Sequence, residues 1–429
     1  MMNLRKRGFW LKDKMTGGNI KSHYNDIRSS IDNSIKTQNL DNLLNHATEK
    51  CKFYNHLQTN TNLEDFPVIN KNIIKENFDD ILAQGSQVEK LHSMSTSGST
   101  GTPFKSYQNK EKRHRVIAEI IYFNQLANQE LGDKFIFFRV WNKHNKKNFL
   151  SKFMQNIVCI DILKLDNSTF KKTIKMFRKD KALTSCLGYA TTYEHLLRYM
   201  VRNNIDIKPA GLKSIITSSE VMPLDIKMKF KEKLKCNIYD RYSNQENGII
   251  AQSADCSDLF LVNHPSYLIE ILKEDNDQPV AEGEIGRIVI TDLFNYTMPY
   301  IRYDTGDLAI KVGDEKFSKH ISSVQGRKAD VFYNTQGDML TPHSITNYMW
   351  EFDKISQYQF IQEAEKDYTL KVSGAKDVYT ETDFISVLKP ILGNDASLKI
   401  EFVDTIPVLS SGKYKKNICL YTPQDRNSK

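Results

Sequence analysis

The sequence lacks the features that mark several large classes of protein. Its six cysteines are scattered along 429 residues with no CxxC pair, so neither a zinc site of the usual spacing nor a disulfide scaffold is indicated. No stretch approaches the roughly 20 apolar residues of a membrane span, and the apolar stretch after the basic N-terminus is too short for a signal peptide. Internal repeats and low-complexity linkers are also missing. These absences favour a globular, cytoplasmic protein with reduced thiols and no transmembrane segment.

The charge balance argues against a nucleic-acid partner. The 60 Lys and Arg residues against 52 Asp and Glu give a net charge of +8, a modest excess for this length. The densest basic patches, Lys110–Arg115 and Lys143–Lys147, lack the interleaved aromatic residues that a single-strand binder needs. An excess of this size fits a nucleotide or an acidic small molecule equally well. Nothing in the sequence indicates the oligomeric state.

Helical and strand patterns alternate through the middle of the chain, which predicts βαβ units and a mostly parallel sheet. The predicted elements are a helix from Lys110 to about Leu131 with Ile120 on or near its apolar face, a strand at Phe135–Val140, a helix at Phe170–Lys179, a strand at Ala182–Leu187, a helix at Thr191–Val201, a strand at Leu212–Thr217, a helix at Leu224–Leu234 and a strand at Asn237–Tyr239. Later strands at Tyr267–Leu272 and Arg287–Thr291 have no long helix between them, which predicts an antiparallel, barrel-like part. The fold class is therefore α/β.

The last hundred residues show a separate pattern of short helices and strands. They are predicted to form helices at Ser344–Glu351 and Glu381–Leu392 and strands at Tyr358–Gln362, Leu370–Val372 and Leu398–Val403. This pattern predicts a large domain over residues 1–328 and a small α+β domain over residues 329–429.

The sharpest local feature is the segment Ser95–Phe104, STSGSTGTPF. Glycines allow the backbone to approach a ligand closely, and the hydroxyl and N–H groups of such a turn form a concave anion site. No Gly-Lys-Ser/Thr sequence closes the loop, so it is not a Walker motif. Taken alone, the segment fits a phosphate-binding loop and a polar surface loop equally well.

Three further motifs carry candidate nucleotide ligands. In YIRYDTGD, Asp307 follows a Thr-Gly turn and has the chemistry to accept hydrogen bonds from a ribose diol, although a turn without a ligand is the better explanation of an isolated match. Arg327 lies at the junction of the two predicted domains, where a charged linker is the alternative. Lys413 follows a Ser-Ser-Gly turn and suits a phosphate, the alternative being an exposed tail lysine.

Together, in this order and spacing, these motifs resemble the adenylate-forming acyl-CoA synthetase superfamily, and within it the phenylacetate–CoA ligase and CapK-like branch. The resemblance runs from about Ser95 to Lys413, and the first ninety residues add little to it. It implies ATP and Mg²⁺ as cofactors, with CoA as the expected acceptor. The substrate would be a small carboxylic acid whose identity the sequence does not give.

The resemblance also implies roles for individual residues. The loop that holds the β- and γ-phosphates of ATP would comprise Ser97, Gly98, Ser99, Thr100, Gly101 and Thr102. The turn along the adenine would contain Ser219 and Glu220, while Gly188 and Tyr189 would border the acyl pocket. In YSNQE, Tyr242 would line the adenine site, Gln245 would reach the α-phosphate and Glu246 would hold Mg²⁺. Asp307 would bind the ribose, Arg327 ribose or phosphate, and Lys413 would act in adenylation.

The sequence departs from the family pattern within YSNQE. Ser243 stands where relatives have Gly, and Gln245 stands where they have Thr or Ser. A Gln side chain still donates a hydrogen bond to a phosphate oxygen. Some relatives carry cysteines after this motif, which suggests a weak zinc hypothesis for Cys236, Cys256 and His264, although their spacing is not a recognised zinc pattern.

Three functions remain open on this basis. The first is ATP-dependent activation of an acid as acyl-AMP with transfer to the thiol of CoA. The second is an acyl-adenylate ligase that transfers to an amine or hydroxyl in surface-polysaccharide biosynthesis. The third, a non-catalytic nucleotide-binding scaffold, is disfavoured because Glu246, Asp307, Arg327 and Lys413 are all present.

Overall fold

The structure is a computed structural model of the full chain, and it describes most of the residues. The described residues are 4–33, 38–96, 104–139, 141, 147–162, 165–218, 222–325, 332–340, 345, 348–349, 351–352, 354–374, 376–407 and 416–421. Within them, no helix has both the length and the apolar character needed to cross a membrane. All six cysteines lie in these ranges, and none forms a disulfide.

Eleven α-helices lie within the described ranges. They are α1 (Leu4–Met15), α2 (Asn19–Ser30), α3 (Gln38–Lys50), α4 (Lys71–Glu76), α5 (Phe78–Ile81), α6 (Lys110–Leu126), α7 (Phe149–Gln155), α8 (Asn167–Lys179), α9 (Ala190–Arg202), α10 (Leu224–Leu234) and α11 (Glu381–Leu392).

The strands form a large sheet, a smaller C-terminal sheet and two hairpin-sized sheets. They are β1 (His92–Thr96), β2 (Phe104–Gln108), β3 (Lys134–Arg139), β4 (Ile157–Asp161), β5 (Leu183–Tyr189), β6 (Ser214–Ser218), β7 (Asn237–Asn244), β8 (Gly248–Ser253), β9 (Leu259–Val262), β10 (Tyr267–Leu272), β11 (Ile285–Asp292), β12 (Tyr303–Val312), β13 (His320–Gln325), β14 (Phe332–Tyr333), β15 (Met339–Leu340), β16 (Gln357–Gln362), β17 (Asp367–Ser373), β18 (Ser397–Val403) and β19 (Asn417–Cys419).

The large sheet has 11 strands in the order β10-β11-β12-β13-β9-β8-β7-β6-β5-β3-β4. Strands β4, β3, β5, β6 and β7 run parallel, and from β7 to β10 every neighbouring pair is antiparallel. The antiparallel part therefore continues the parallel part through the β7–β8 hairpin. The predicted α/β class is confirmed.

The C-terminal part has its own sheet, in the order β18-β17-β16-β19, and its own apolar core under α11. The C-terminal part contacts the large part through α9. The Arg198 guanidinium donates to the carbonyl oxygens of Phe352 at 3.0 Å and Met349 at 3.3 Å, and Lys416 contacts the Glu194 carboxylate. The predicted boundary between residues 328 and 329 lies outside the described residues, so it stays a prediction.

Helix α6 differs from its prediction in length and in its buried face. It ends at Leu126 rather than near Leu131, since Asn128 adopts a left-handed backbone with φ of 58°. Ile120 is 40% exposed, so its assignment to the apolar face is wrong. The buried face instead includes three charged residues at helical spacing, namely Lys112, Arg115 and Glu119.

Candidate active site

The β7–β8 hairpin carries the YSNQE motif, residues Tyr242–Glu246, on a tight turn that we call the Tyr–Glu turn. The Asn244 side chain accepts a hydrogen bond from the Asn247 N–H at 2.8 Å, which closes the turn locally. Gln245 is exposed at the tip, whereas Glu246 is 1% exposed. The turn therefore directs the carboxylate of Glu246 into the protein and leaves Gln245 facing outward.

Two side chains from distant parts of the chain contact the Glu246 carboxylate. The Lys71 ammonium lies 2.8 Å from Oε1, and the Tyr303 hydroxyl donates to the same oxygen at 2.7 Å. Burial, followed by the charge of Glu246, raises the pKa of Tyr303 well above its usual value, so the hydroxyl keeps the proton that it donates. The second oxygen, Oε2, is buried and has no hydrogen-bond partner among the described residues.

Lys71 reaches this position because the segment before it docks on β12. The Ile69 N–H donates to the Arg302 carbonyl at 3.0 Å, and the Asp304 N–H donates to the Ile69 carbonyl at 2.7 Å. Asn70 then caps α4, so Lys71 is the first residue of that helix. Lys71 is not predicted as a site residue from the sequence, because no motif surrounds it and because the first ninety residues carry little of the resemblance.

The β1–β2 hairpin places both ends of the predicted phosphate loop beside Glu246. Thr96 pairs with Phe104 at the end of the hairpin, and the residues between them are the loop. The Lys71 ammonium lies 5.3 Å from the centre of the Phe104 ring, and the Gln108 amide donates to the Glu246 carbonyl at 2.9 Å. The hairpin thus joins the ends of the loop and the Tyr–Glu turn in one site.

Tyr242 and Asp307 meet on the antiparallel side of the sheet. The Tyr242 hydroxyl donates to Asp307 Oδ2 at 2.8 Å and lies 3.1 Å from Thr305 Oγ1. Burial, followed by the charge of Asp307, raises the pKa of Tyr242 well above its usual value, so the phenol remains a donor. Two motifs far apart in sequence are therefore joined by a charge-assisted hydrogen bond.

Gly188 and Tyr189 lie at the carboxyl edge of the parallel strands. Tyr189 pairs with Ser218 on β6, which pairs with Arg241 on β7, immediately before Tyr242. Neighbouring strands are about 4.8 Å apart, so Tyr189 is about 10 Å from β7 along this row. A Cβ atom at Gly188 would lie 2.8 Å from the Cβ of Phe138, so glycine is required there.

A buried ionic cluster packs against the Tyr–Glu turn. Lys112 and Asp292 form an ion pair at 2.6 Å with both side chains fully buried. The Tyr267 hydroxyl lies 3.0 Å from the Lys112 ammonium and donates to the Asn247 carbonyl at 2.9 Å. A Cβ at Gly248 would lie 2.5 Å from Oε2 of the buried Glu119, and its φ is 138°. Glycine is therefore required next to the turn.

The remaining site residues predicted from the sequence lie outside the described residues. They are Ser97, Gly98, Ser99, Thr100, Gly101, Thr102, Ser219, Glu220, Arg327 and Lys413. Their roles therefore stay predictions. Of the described members, Tyr242 and Asp307 are joined by a hydrogen bond, Gln245 and Glu246 lie in the turn after Tyr242, and Gly188 and Tyr189 end β5, two strands away from β7.

The donor set at Glu246 fits Mg²⁺. Magnesium in nucleotide sites is held by one or two carboxylates together with substrate phosphates and waters, rather than by a cage of protein ligands. Glu246 has a buried carboxylate oxygen with no partner in the described ranges, and its other oxygen pairs with Lys71, which lies against the Phe104 ring at one end of the predicted phosphate loop. Those ranges also contain no group of three or more His, Cys, Asp or Glu side chains able to hold a metal.

The zinc hypothesis for Cys236, Cys256 and His264 gains no support from the geometry. The His264 imidazole donates to the Ile31 carbonyl at 2.7 Å, and burial lowers its pKa. Burial raises the pKa of the Cys236 thiol to about 12, which disfavours the thiolate that zinc requires. The three residues do not form a metal-ligating group.

Comparison with known families identifies the C-terminal part. Residues 332–418 match the model of the CapK C-terminal domain. The chain is also 22% identical to Protein CapK of Staphylococcus aureus over 404 residues, covering 88% of this chain and 87% of the relative. The resemblance to the CapK-like branch is confirmed.

Solved structures extend the likeness over nearly the whole chain. A 2-hydroxyisobutyryl-CoA ligase in its postadenylation state, bound to its acyl-AMP, matches with a TM-score of 0.69 at 16% identity, covering 90% of this chain and 88% of that chain. The chain has the fold of the adenylate-forming CoA ligases. In its thioesterification state with acyl-AMP and CoA, the same ligase matches this fold with a TM-score of 0.57 at 18% identity, over 89% and 88%.

Proposed function

We propose that the protein is an adenylate-forming ligase that activates a carboxylic acid with ATP and transfers the acyl group to the thiol of CoA. The observation that carries the proposal is that the buried Glu246 contacts the β1–β2 hairpin, which leads into the predicted phosphate loop, and follows Tyr242 of the Tyr242–Asp307 pair on the β7–β8 hairpin.

The first half-reaction is the attack of the substrate carboxylate on the α-phosphorus of ATP. The P–O bond to the β-phosphate breaks, giving acyl-AMP and pyrophosphate. Asp307 would accept hydrogen bonds from the ribose hydroxyls, while residues 97–102 would bind the β- and γ-phosphates. Lys413 would bring an ammonium group to the developing charge. Magnesium, when bound at Glu246, offsets phosphate charge, and positioning supplies most of the remaining rate enhancement.

The second half-reaction is the attack of the CoA thiolate on the acyl carbon, with AMP as the leaving group. A rotation of the small domain would remove Lys413 and admit the acceptor, a known type of hinge movement. The two TM-scores for a single ligase in two states support such a rearrangement in this fold.

The CapK likeness favours a second candidate acceptor. An amine or hydroxyl of a surface-polysaccharide precursor would attack the same acyl-AMP and give an amide or an ester. Chromatographic detection of products after incubation with acid, ATP and either CoA or candidate amines distinguishes the two. A thioester formed only with CoA supports the first proposal, and an amide formed at the expense of thioester replaces it with the second.

Replacing Asp307 with asparagine should weaken ATP binding about ten- to a hundredfold. The change removes the negative charge that strengthens hydrogen bonds from the ribose diol, each such bond contributing about 1.5–3 kcal/mol. The matched control is Tyr242→Phe, which deletes the hydroxyl 2.8 Å from the carboxylate but keeps the charge and the ring. Isothermal titration with ATP should show at most a few-fold loss in the control. Equal losses in both variants would contradict the ribose role.

A further inference from the structure

Helix α7 exposes most of its apolar side chains. Four of its residues are between 60% and 85% exposed, namely Phe149, Leu150, Phe153 and Met154, and none of the helix is buried. Single exposed apolar residues are normal on a soluble protein, but a contiguous group marks an interaction surface. The proposed catalytic chemistry makes no use of this helix.

Helix α1 adds a second apolar stripe. Leu4, Leu11 and Met15 are 79%, 61% and 80% exposed, and their spacing of seven and four residues places them on one side of the helix. The opposite side faces the protein, where the centres of the Trp10 and Tyr24 rings lie 5.7 Å apart. Apolar side chains therefore lie on both the inner side and the outer side of helix α1.

The two helices are neighbours. The Arg5 guanidinium donates to the Phe153 carbonyl at 3.1 Å and lies 5.0 Å from the centre of the Phe153 ring. The exposed apolar residues of both helices therefore belong to adjoining surfaces. We call this combined surface the α1–α7 face, and it consists of Leu4, Leu11, Met15, Phe149, Leu150, Phe153 and Met154.

The α1–α7 face is bordered by cations. Helix α1 carries Arg5, Lys6, Arg7, Lys12 and Lys14, and α7 carries Lys152. Lys6 is paired with Glu130 at 2.7 Å. The single acid of α1, Asp13, is 5% exposed and accepts the Ile20 and Lys21 N–H groups at 3.2 and 2.9 Å, so it faces the next helix. The two helices thus present apolar and positive groups outward, with no outward acid of their own.

We propose that the α1–α7 face docks the protein on an anionic lipid membrane surface. In this arrangement the Phe, Leu and Met side chains enter the boundary between headgroups and acyl chains, while Lys and Arg reach lipid phosphates through their flexible stems. Cations near an anionic leaflet add an electrostatic attraction to the burial of apolar side chains. A contact between two copies of the same face would instead bring like charges together, which is costly.

Vesicle sedimentation with the full chain, carrying no N-terminal tag, tests the proposal. The probes are vesicles of phosphatidylcholine alone and of phosphatidylcholine with about 30% phosphatidylglycerol, since anionic lipid supplies the electrostatic attraction. We expect binding only to the anionic vesicles, and it should weaken as the salt is raised from about 0.05 to about 0.5 M because salt screens the attraction. The triple variant Leu11→Ser/Phe149→Ser/Phe153→Ser should bind at least about tenfold more weakly, since three apolar side chains no longer insert.

Two matched controls test whether vesicle binding depends on this face rather than on exposed apolar residues or exposed cations elsewhere on the protein. Leu224→Ser/Met228→Ser removes apolar side chains that are 43% and 55% exposed on α10, and Lys171→Ser/Lys175→Ser removes two exposed cations from α8. Both should bind like the parent chain, and circular dichroism should show the same fold in all variants. Absence of binding to anionic vesicles, or an equal loss in either control, overturns the proposal. It is also overturned by a dimer in sedimentation velocity that the triple variant dissociates.

Discussion

Replacing Glu246 with glutamine should slow acid-dependent pyrophosphate release at least about 100-fold, the range seen when a group that stabilises transition-state charge is removed. The variant keeps the shape of the side chain and an oxygen for the Tyr303 hydroxyl, which lies 2.7 Å from Oε1. It loses the charge that pairs with Lys71 and the carboxylate assigned to Mg²⁺. The rate should therefore also require a higher Mg²⁺ concentration, which a metal titration of pyrophosphate release measures.

The control for this prediction is Tyr303→Phe. It removes the other contact of the same carboxylate oxygen but leaves the charge in place. We expect adenylation to stay within about tenfold of the parent rate, because the carboxylate assigned to Mg²⁺ keeps its charge and its ion pair with Lys71. If both variants lose the same activity, Glu246 acts only as a structural partner in the buried turn, and its metal role is wrong.

Replacing Lys413 with alanine should slow adenylation about 100- to 1000-fold while leaving thioester formation from supplied acyl-AMP nearly unchanged. The reason is that the proposed ammonium offsets charge that develops only during the first half-reaction. The two half-reactions are measured separately, by pyrophosphate release and by the formation of acyl-CoA from synthetic acyl-AMP.

A nearby lysine provides the comparison. Lys416, three residues further along the chain, contacts Glu194 on α9 and so helps hold the C-terminal part against the large part. Lys416→Ala should change adenylation far less than Lys413→Ala, by less than about tenfold, because the Lys416 ammonium is paired with the buried Glu194 and is not assigned to the phosphates, so its removal lowers stability instead. Equal losses in both half-reactions for Lys413→Ala would contradict its assignment.

The regular elements were largely predictable from sequence because local signals define them. The bounds predicted for α10, α11 and β10 agree with the structure. Helix α11 has a capping box between Thr380 and Asp383 at its start and ends before Gly393, so its limits are encoded locally. The buried face of α6 was not predictable, since Lys112 and Glu119 are buried only through partners on distant strands.

The site was predictable as a set of residues but not as an arrangement. The motifs led to Tyr242, Glu246 and Asp307, and the structure joins two of them directly. Lys71 and Tyr303 could not be assigned to Glu246 from the sequence, because the contact depends on how Ile69 docks on β12. A cation without a surrounding motif is indistinguishable from a surface lysine until its partner is known.

The most direct test of the central claim is acid-dependent exchange of labelled pyrophosphate into ATP, since this exchange requires reversible formation of acyl-AMP. The assay surveys aryl, fatty, amino and sugar acids, with Glu246→Gln and Lys413→Ala as matched inactive controls. We predict exchange with one class of acid in the parent protein and at least about a 100-fold loss in both variants. ATP binding by the parent without exchange above the two variants, for any of these acids, would contradict the account.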